Sequence, residues 1–329
     1  MKLPLTIACW DYDRTQRLFN GEVPIEGCDP NFLNLPVEET FFRALRSAEF
    51  DVAELSMSSY TMLLSKGQSP YVAIPVFLSR AFRHSAIYVP AGSDIRQPAD
   101  LRGRRVGVPE YQLTAPVWVR GILQDEYGVK PSELRWRTGG VETPGRHEKV
   151  QLSLPPEIDL ASIPEGRTLN EMMLSGEIDA LVAPRAPSAF HLPGRPVRRL
   201  FEDFRSVEQA YFAKTGIFPI MHVVGVRRTL VEQHPWLAAS LLKAFTRAKD
   251  LALAELGEVA ALKVSLPWVV AEQEATVAAM GADFWSYGVP TNEKVLRAFL
   301  RYHHEQGLSK RLVDLDEMFA PGTREQFVI

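Results

Sequence analysis

Two strand-like runs, far apart in the chain, divide this sequence into outer and middle parts. Ser85–Val89 is followed by a turn, and Ile220–Val226 is the last clear run of β-branched residues. We expect both runs to mark crossings between lobes, because 329 residues are too many for one ordinary core and too few for three. The sequence therefore predicts one lobe of residues 1–89 and 224–329 and a second lobe of residues 90–223.

Strand patterns alternate with helix patterns, which is typical of an α/β protein. Leu3–Cys9 predicts a strand, Val37–Ala48 an amphipathic helix and Val52–Leu55 a short buried strand. A further helix is expected to begin at Thr114, as its N-cap, and to end at Gly128. We therefore expect a sheet covered by helices in each lobe.

The weakest pattern lies in residues 137–167, where Gly-Gly, Pro-Gly and Pro-Pro pairs interrupt regular structure. We expect a long loop that lines a ligand cleft there. The C-terminal third predicts helical cover, with Pro235 at a helix start and further helices over Glu272–Phe284 and Glu293–Glu305. Two crossings between lobes imply a hinge, and small ligands bind in such hinged clefts.

Composition and charge favour a small-molecule protein of the cytoplasm. The net charge of -3, without long runs of one sign, gives no electrostatic footprint for nucleic acid or an anionic membrane. The apolar stretch Leu3–Ala8 is too short for an export signal and contains Pro4. Cys9 and Cys28 cannot form a disulfide scaffold. We expect no nucleic-acid partner, no membrane partner and a cytoplasmic location.

Several site classes lack their sequence motifs. No Gly-x-Ser-x-Gly elbow, Gly-x-Gly-x-x-Gly turn or Gly-Lys-Ser/Thr loop is present, so hydrolase, dehydrogenase and kinase sites are not indicated. Asp11, Asp13, His84 and His222 are candidate metal ligands, but their spacing matches no common metal motif. We expect neither a metal nor a cofactor, and the sequence leaves open whether the chain forms a homo-oligomer.

Five segments at predicted strand ends or lobe crossings carry a likeness to a known family. They are Pro75–Ser85, Val108–Ala115, Thr138–Glu142, Arg185–Ser188 and Thr215–His222. Through these segments the sequence resembles the 4,5-dihydroxyphthalate decarboxylase family, relatives of the NMT1-like bilobal proteins, and the likeness runs from Leu3 to about Lys249.

This resemblance implies a two-lobed α/β fold of the type II periplasmic-binding-protein class that is used as an enzyme. It further implies loss of one carboxylate from 4,5-dihydroxyphthalate, which gives protocatechuate, without an organic cofactor. The alternative is a non-catalytic binding protein for an aromatic or pyrimidine-like solute. The missing export signal favours the enzyme, because a transport receptor must leave the cytoplasm.

Decarboxylation of such a substrate requires a proton donor. Each carboxylate carbon is para to a hydroxyl, so the ring carbon can be protonated and then lose carbon dioxide. Histidine suits the proton transfers. We expect His222 first, and His84 second, to carry them, because both lie beside predicted hinge strands; a structural hydrogen-bonding role is the alternative for each. Glu110 is a candidate base for the phenol, and Asp11 is a weaker one.

Guanidinium groups suit the two substrate carboxylates. Arg14, Arg80 and Arg185 follow three different predicted strands, two in the first lobe and one in the second. Surface salt bridges are the alternative for each. We also expect substrate contacts from three residues at or near predicted helix starts, namely Ser58, Tyr111 and Thr114, although simple capping would explain Ser58 and Thr114 equally well.

Overall fold

A computed structural model describes residues 2–148 and 150–324, which form eleven strands and eleven α-helices. The strands are β1 (Leu3–Cys9), β2 (Cys28–Asn34), β3 (Val52–Ser56), β4 (Tyr71–Arg80), β5 (Ile87–Pro90), β6 (Arg105–Val108), β7 (Arg135–Thr138), β8 (Asp159–Ser162), β9 (Ala180–Val182), β10 (Val197–Arg199) and β11 (Ile220–Arg227). The helices are α1 (Asp13–Phe19), α2 (Val37–Ser47), α3 (Met57–Ser65), α4 (Thr114–Tyr127), α5 (Leu169–Leu174), α6 (Phe204–Thr215), α7 (Arg228–Gln233), α8 (Leu237–Glu255), α9 (Val269–Met280), α10 (Glu293–Glu305) and α11 (Leu315–Met318).

The chain forms two compact units. Unit 1 contains the residues up to Arg80, Ile220–Leu296 and the segment from Val313, and unit 2 contains Ala81–Pro219 and Arg297–Leu312. These units differ from the lobes expected from sequence chiefly at residues 81–89 and 297–312. The second difference has a physical cause, because aromatic side chains of α10 pack on a helix of unit 2. Trp118 of α4 stacks at a tilt on Phe299 and meets Tyr302 edge to face.

Unit 1 is built on a five-stranded sheet in the order β2-β1-β3-β11-β4. Strands β1, β2 and β3 are parallel, and β11 runs antiparallel to both β3 and β4. The carboxyl ends of β1 and β3 therefore lie at the same edge as the beginning of β11. Ligand groups gather at such an edge in open α/β sheets.

Unit 2 is built on a six-stranded sheet in the order β10-β5-β9-β6-β7-β8. The loop predicted for residues 137–167 is partly wrong, because this segment includes the edge strand β8, which pairs in parallel with β7 from Arg135↔Asp159 to Thr138↔Ser162. The sequence of β8, Asp-Leu-Ala-Ser, has no β-branched residue, and most of the strand is exposed. The composition of β8 therefore gave little indication of a strand.

Most helix predictions hold with small corrections, but the helix predicted over Glu272–Phe284 is α9 (Val269–Met280), which begins three residues earlier and ends four residues earlier. The expected bounds match α10, and α2 ends one residue earlier than predicted. Gly128 is the C-cap of helix α4, and its φ of 66° is the left-handed conformation that glycine adopts without strain. Thr114 is the first residue of α4 rather than its N-cap, which is Leu113. Among the described residues, no helix has both the length and the apolar character needed to cross a membrane.

Candidate active site

Glu54 and His222 form a pair on one face of the sheet of unit 1. His222 of β11 lies opposite Ser56 of β3, and Val224 lies opposite Glu54. Alternate residues of a strand share a face, so Glu54 and His222 are diagonal neighbours. The Nδ1 atom of His222 is 2.6 Å from Oε1 of Glu54.

Strand β11 is irregular at His222. Its pairing with β4 shifts register both between Ile220 and His222 and between His222 and Val224. Such bulges re-aim a side chain and are common beside active sites. The local distortion of the strand therefore sets the direction in which the His222 side chain points.

The Glu54 carboxylate is fully buried and accepts three hydrogen bonds. Besides His222, the Tyr12 hydroxyl donates to Oε1 at 2.7 Å and the Trp10 backbone N–H donates to Oε2 at 3.0 Å. Burial alone would raise the pKa of Glu54, but these donors and the His222 ring together lower it below its usual value. Glu54 is therefore an ionised acceptor inside the unit.

An ionised carboxylate can only accept, so Nδ1 of His222 carries the proton in this pair. This leaves Nε2 as the nitrogen that can give or take a proton. The His222 side chain retains 17% exposure, and the Phe41 ring packs against it edge to face with centroids 4.8 Å apart. The ring is thus held in one orientation and remains accessible.

Arg14 lies at the same edge of the unit 1 sheet. Its Nε donates to Leu78 O at 2.8 Å, Nη2 donates to the same oxygen, and Nη1 donates to Asp13 Oδ1 at 2.9 Å. The guanidinium also lies 4.0 Å from the Tyr12 ring centroid and 4.3 Å from that of Trp285. Since a guanidinium has five N–H donors, two are left without a hydrogen bond to the part of the chain that the structure describes.

Arg80 is also in unit 1, at the end of β4, and is almost completely buried. Its Nη2 donates to Ser286 O at 2.7 Å and to Asn292 Oδ1, and the guanidinium lies 5.1 Å from the Phe77 ring centroid. Burial lowers the pKa of Arg80 to about 9, so the group is still charged at neutral pH. These bonds tie β4 to the segment before α10.

A second polar cluster lies in unit 2, where the connection between β6 and α4 meets the segment between β7 and β8. Glu110 is buried and accepts from Nε and Nη2 of Arg146, both at 2.8 Å. Glu148 accepts from the backbone N–H groups of Tyr111 and Gln112. Burial, together with the charge of Glu110, raises the pKa of Glu148 to about 7. This cluster therefore contains one carboxyl group that changes its charge near neutral pH.

His84 lies in an aromatic box of unit 2. The rings of Tyr211, Phe201 and Tyr127 surround it edge-on, with centroids 5.1, 5.3 and 6.3 Å away. Neither ring nitrogen has a hydrogen-bond partner among the described residues. Burial lowers the pKa of His84 to about 4, so the ring is neutral at pH 7.

The other residues predicted to contact substrate are spread over both units. Ser58 is fully buried in the first turn of α3, where Ser56 is the N-cap. Tyr111 is buried beneath Arg120, and Arg185 is exposed after β9. Of the predicted site residues, the structure brings Arg14 and His222 to one edge of the unit 1 sheet, with Arg80 on the neighbouring β4.

Sequence reasoning missed Glu54 and Glu148. A signal existed for Glu54, because an acid inside a short apolar strand is buried only when it has partners. Glu148 lies in the segment with the weakest pattern, and no sequence signal marks it. No group of three or more His, Cys, Asp or Glu residues in the described part of the chain is arranged to hold a metal ion.

Comparison with known proteins identifies relatives of two kinds. Residues 36–178 match a family model described as the periplasmic substrate-binding protein of a phosphonate ABC transporter. The solved aliphatic sulphonate binding protein SsuA of Escherichia coli is 13% identical, with a TM-score of 0.53 and coverage of 99% of this chain and 100% of that one. The SsuA protein of Xanthomonas axonopodis pv. citri gives a TM-score of 0.51, with 13% identity and coverage of 97% and 96%. These similarities confirm the predicted two-lobed α/β fold of solute-binding proteins.

Much closer relatives are named as enzymes. The 4,5-dihydroxyphthalate decarboxylase of Comamonas testosteroni is 49% identical over 328 residues, which cover 100% of this chain and 99% of the relative. The protein of the same name from Pseudomonas putida is 50% identical over 202 residues, which cover 61% of this chain and 78% of the relative. The resemblance noted from the sequence segments is thereby confirmed over the full length. The chain belongs to the 4,5-dihydroxyphthalate decarboxylase family.

Proposed function

We propose that this chain removes one carboxylate from 4,5-dihydroxyphthalate to give protocatechuate, and that His222 transfers the proton. Full-length identity of 49% to a decarboxylase of that name supports the reaction. The buried Glu54 carboxylate, 2.6 Å from Nδ1 of His222, is the observation that carries the assignment of the proton. Carboxylate–imidazole pairs of this kind orient histidines that exchange protons.

The substrate itself supplies the electron sink. Loss of a proton from one hydroxyl pushes electrons to the para ring carbon, which bears a carboxylate. A proton is added to that carbon, and the bond to the carboxylate then breaks. Its electron pair restores the aromatic ring as carbon dioxide leaves. The balance is one substrate dianion and one proton in, and one protocatechuate anion and one carbon dioxide out.

His222 takes part in these reaction steps through its Nε2 atom. In its protonated form, Nε2 gives a proton to the ring carbon, while Nδ1–H stays bonded to Glu54. The Tyr12 hydroxyl donates to the same Glu54 oxygen and limits its movement. Positioned proton transfer of this kind contributes roughly 10²- to 10⁴-fold to rate. Glu54 and Tyr12 are positioning residues in this mechanism.

The remaining site assignments are proposals as well. Arg14 has free donor capacity, and we assign it to a substrate carboxylate ahead of Arg80 and Arg185. Glu110 is paired with Arg146, so a role as the phenol base requires that this ion pair open. His84 is neutral at pH 7, and we therefore rank it below His222 as a proton donor. Ser58, Tyr111 and Thr114 stay as proposed contacts.

A reaction of this type needs no organic cofactor, since the hydroxylated ring accepts the electrons. We propose a cytoplasmic location, with a small aromatic carboxylate as the partner and without nucleic acid or membrane.

A direct incubation tests the reaction. The purified chain is mixed with 4,5-dihydroxyphthalate, and protocatechuate and carbon dioxide are measured over time. We expect equal molar amounts of both products. Phthalate is the matched control, because it has both carboxylates but lacks the para hydroxyls that drive the reaction. Tight binding of 4,5-dihydroxyphthalate without any product would favour the non-catalytic binding protein.

A further inference from the structure

Two backbone N–H groups in unit 2 hold a carboxylate of the chain itself. Tyr111 N donates to Oε1 of Glu148, and Gln112 N donates to Oε2 at 3.3 Å. Both donors belong to the connection between β6 and α4, whereas Glu148 comes from the irregular segment between β7 and β8. Successive N–H groups that converge in this way form an anion-binding nest.

A buried cation supports the nest. Arg120 of α4 is 1% exposed, and its Nη2 donates to Tyr111 O at 2.7 Å while Nε donates to Gln306 Oε1 at 2.7 Å. Its Nη1 has no hydrogen-bond partner among the described residues. The bonded partners are a carbonyl and an amide, so no carboxylate among the described residues is hydrogen-bonded to this charge.

Arg120 also acts on the nest through the peptide group. Tyr111 O and Gln112 N–H belong to the same peptide unit, so donation to the carbonyl strengthens the N–H as a donor. The guanidinium also lies 3.7 Å from the Tyr111 ring centroid, which fixes the residue that carries the first N–H. The geometry is therefore that of a carboxylate site with a positive charge behind it.

Glu148 is a poor permanent occupant of this site. Burial and the nearby Glu110 disfavour its charge and raise its pKa to about 7. Arg146, two residues before Glu148, is bonded to Glu110 and not to Glu148. A carboxylate whose charged form is disfavoured by burial in its own site can be exchanged for an external one.

We propose that the N–H groups of Tyr111 and Gln112, backed by Arg120, bind a carboxylate of the aromatic substrate after it displaces Glu148. The identity of the ligand rests on the proposed function, but the site itself rests on these contacts. Glu148 acts as an internal stand-in that keeps the nest filled when no substrate is bound.

Phthalate binding by titration calorimetry at pH 8 tests this proposal without requiring turnover. In Glu148→Ala the internal competitor is gone, so phthalate should bind at least about threefold more tightly than in the wild-type chain. Glu157→Ala is the matched control, because it removes an exposed acid from the same segment and should leave the Kd unchanged. Catechol, which lacks carboxylates, should bind equally to all three chains.

An unchanged or weaker phthalate affinity in Glu148→Ala would overturn the proposal, as would an equal gain for catechol. Turnover of 4,5-dihydroxyphthalate by the wild-type chain is measured separately. Absence of turnover in the wild-type chain would contradict the proposed function alone. The phthalate titrations test the nest alone.

Discussion

The Nδ1 atom of His222 lies 2.6 Å from Oε1 of Glu54, although the two residues are 168 positions apart in the chain. The pairing of β11 with β3 brings them together. Neither residue alone suggests catalysis, since one is a strand histidine and the other a buried acid. Together they define an imidazole with a fixed tautomer and one available nitrogen.

Replacement of Glu54 should separate catalysis from binding. Glu54→Gln keeps the shape of the side chain but loses the charge that orients His222. We expect kcat to fall by about 10²-fold or more, with KM changed by less than about threefold. Steady-state kinetics with 4,5-dihydroxyphthalate measure both constants.

Tyr12→Phe is the matched milder change. It removes one of the three donors to Glu54 and leaves the other two. Its kcat should lie between those of the wild-type chain and Glu54→Gln. A purely structural role for Glu54 would instead lower thermal stability and leave the kcat of the folded fraction intact.

The product formed from 4-hydroxyphthalate should report the mechanism. This substrate has a single hydroxyl, which is para to only one of its two carboxylates. If the para hydroxyl drives protonation, that carboxylate alone is lost and 3-hydroxybenzoate is formed. Chromatography distinguishes it from 4-hydroxybenzoate. Formation of mainly 4-hydroxybenzoate would mean that the hydroxyl does not direct the reaction.

The arginine assignments make a graded prediction. Arg→Lys at a carboxylate-binding position keeps the charge but loses the planar fork. For Arg14→Lys we expect KM to rise by about tenfold, which is the loss of one charged hydrogen bond. Parallel measurements on Arg80→Lys and Arg185→Lys should show a higher KM in at least one more variant. Unchanged KM values in all three would remove arginine from substrate binding.

His84 should make stability depend on pH. Its pKa is about 4 in the folded chain, against 6.5 when unperturbed, because burial disfavours the charged ring. Above pH 6.5 both states are neutral, and the unfolded state gains a proton as the pH falls below that value. Because of this residue, the free energy of unfolding should therefore fall by about 2 kcal/mol between pH 7.5 and pH 5.

Urea unfolding at the two pH values measures this effect. His84→Leu cannot titrate, so its free energy of unfolding should fall by about 2 kcal/mol less than that of the wild-type chain over this range. Equal losses in both chains would show that His84 is not the group responsible.

Local patterns predicted several of the regular elements, although β2, α1 and α6 were not among them. β1 and α10 have the bounds expected from sequence. A run of apolar residues specifies β1 and a helical repeat specifies α10, and each pattern is contained within a short stretch of the chain. Strand β8 was missed, since it is formed by pairing with β7 and not by its own composition. The likeness to solute-binding proteins is a property of the whole fold, and the family resemblance implied that fold class.

The site could be predicted only in part. The sequence pattern selected His222 because it lies near the start of a recognisable strand, and its catalytic role stays a prediction. Glu54 required the register between β3 and β11, which involves residues far apart in the sequence. Glu148 required the fold of an irregular segment whose contacts are all non-local. Arg80 fitted a strand-end pattern, but the pattern did not reveal its bond to Asn292.

The central claim is that this chain decarboxylates 4,5-dihydroxyphthalate with His222 as the proton donor. The most direct measurement compares the wild-type chain with His222→Asn for protocatechuate formation and for phthalate affinity. We predict equimolar protocatechuate and carbon dioxide from the wild-type chain. In His222→Asn, turnover should fall by about 10²-fold or more while the phthalate Kd stays within about threefold. No product from the wild-type chain, or full turnover in His222→Asn, would contradict the account.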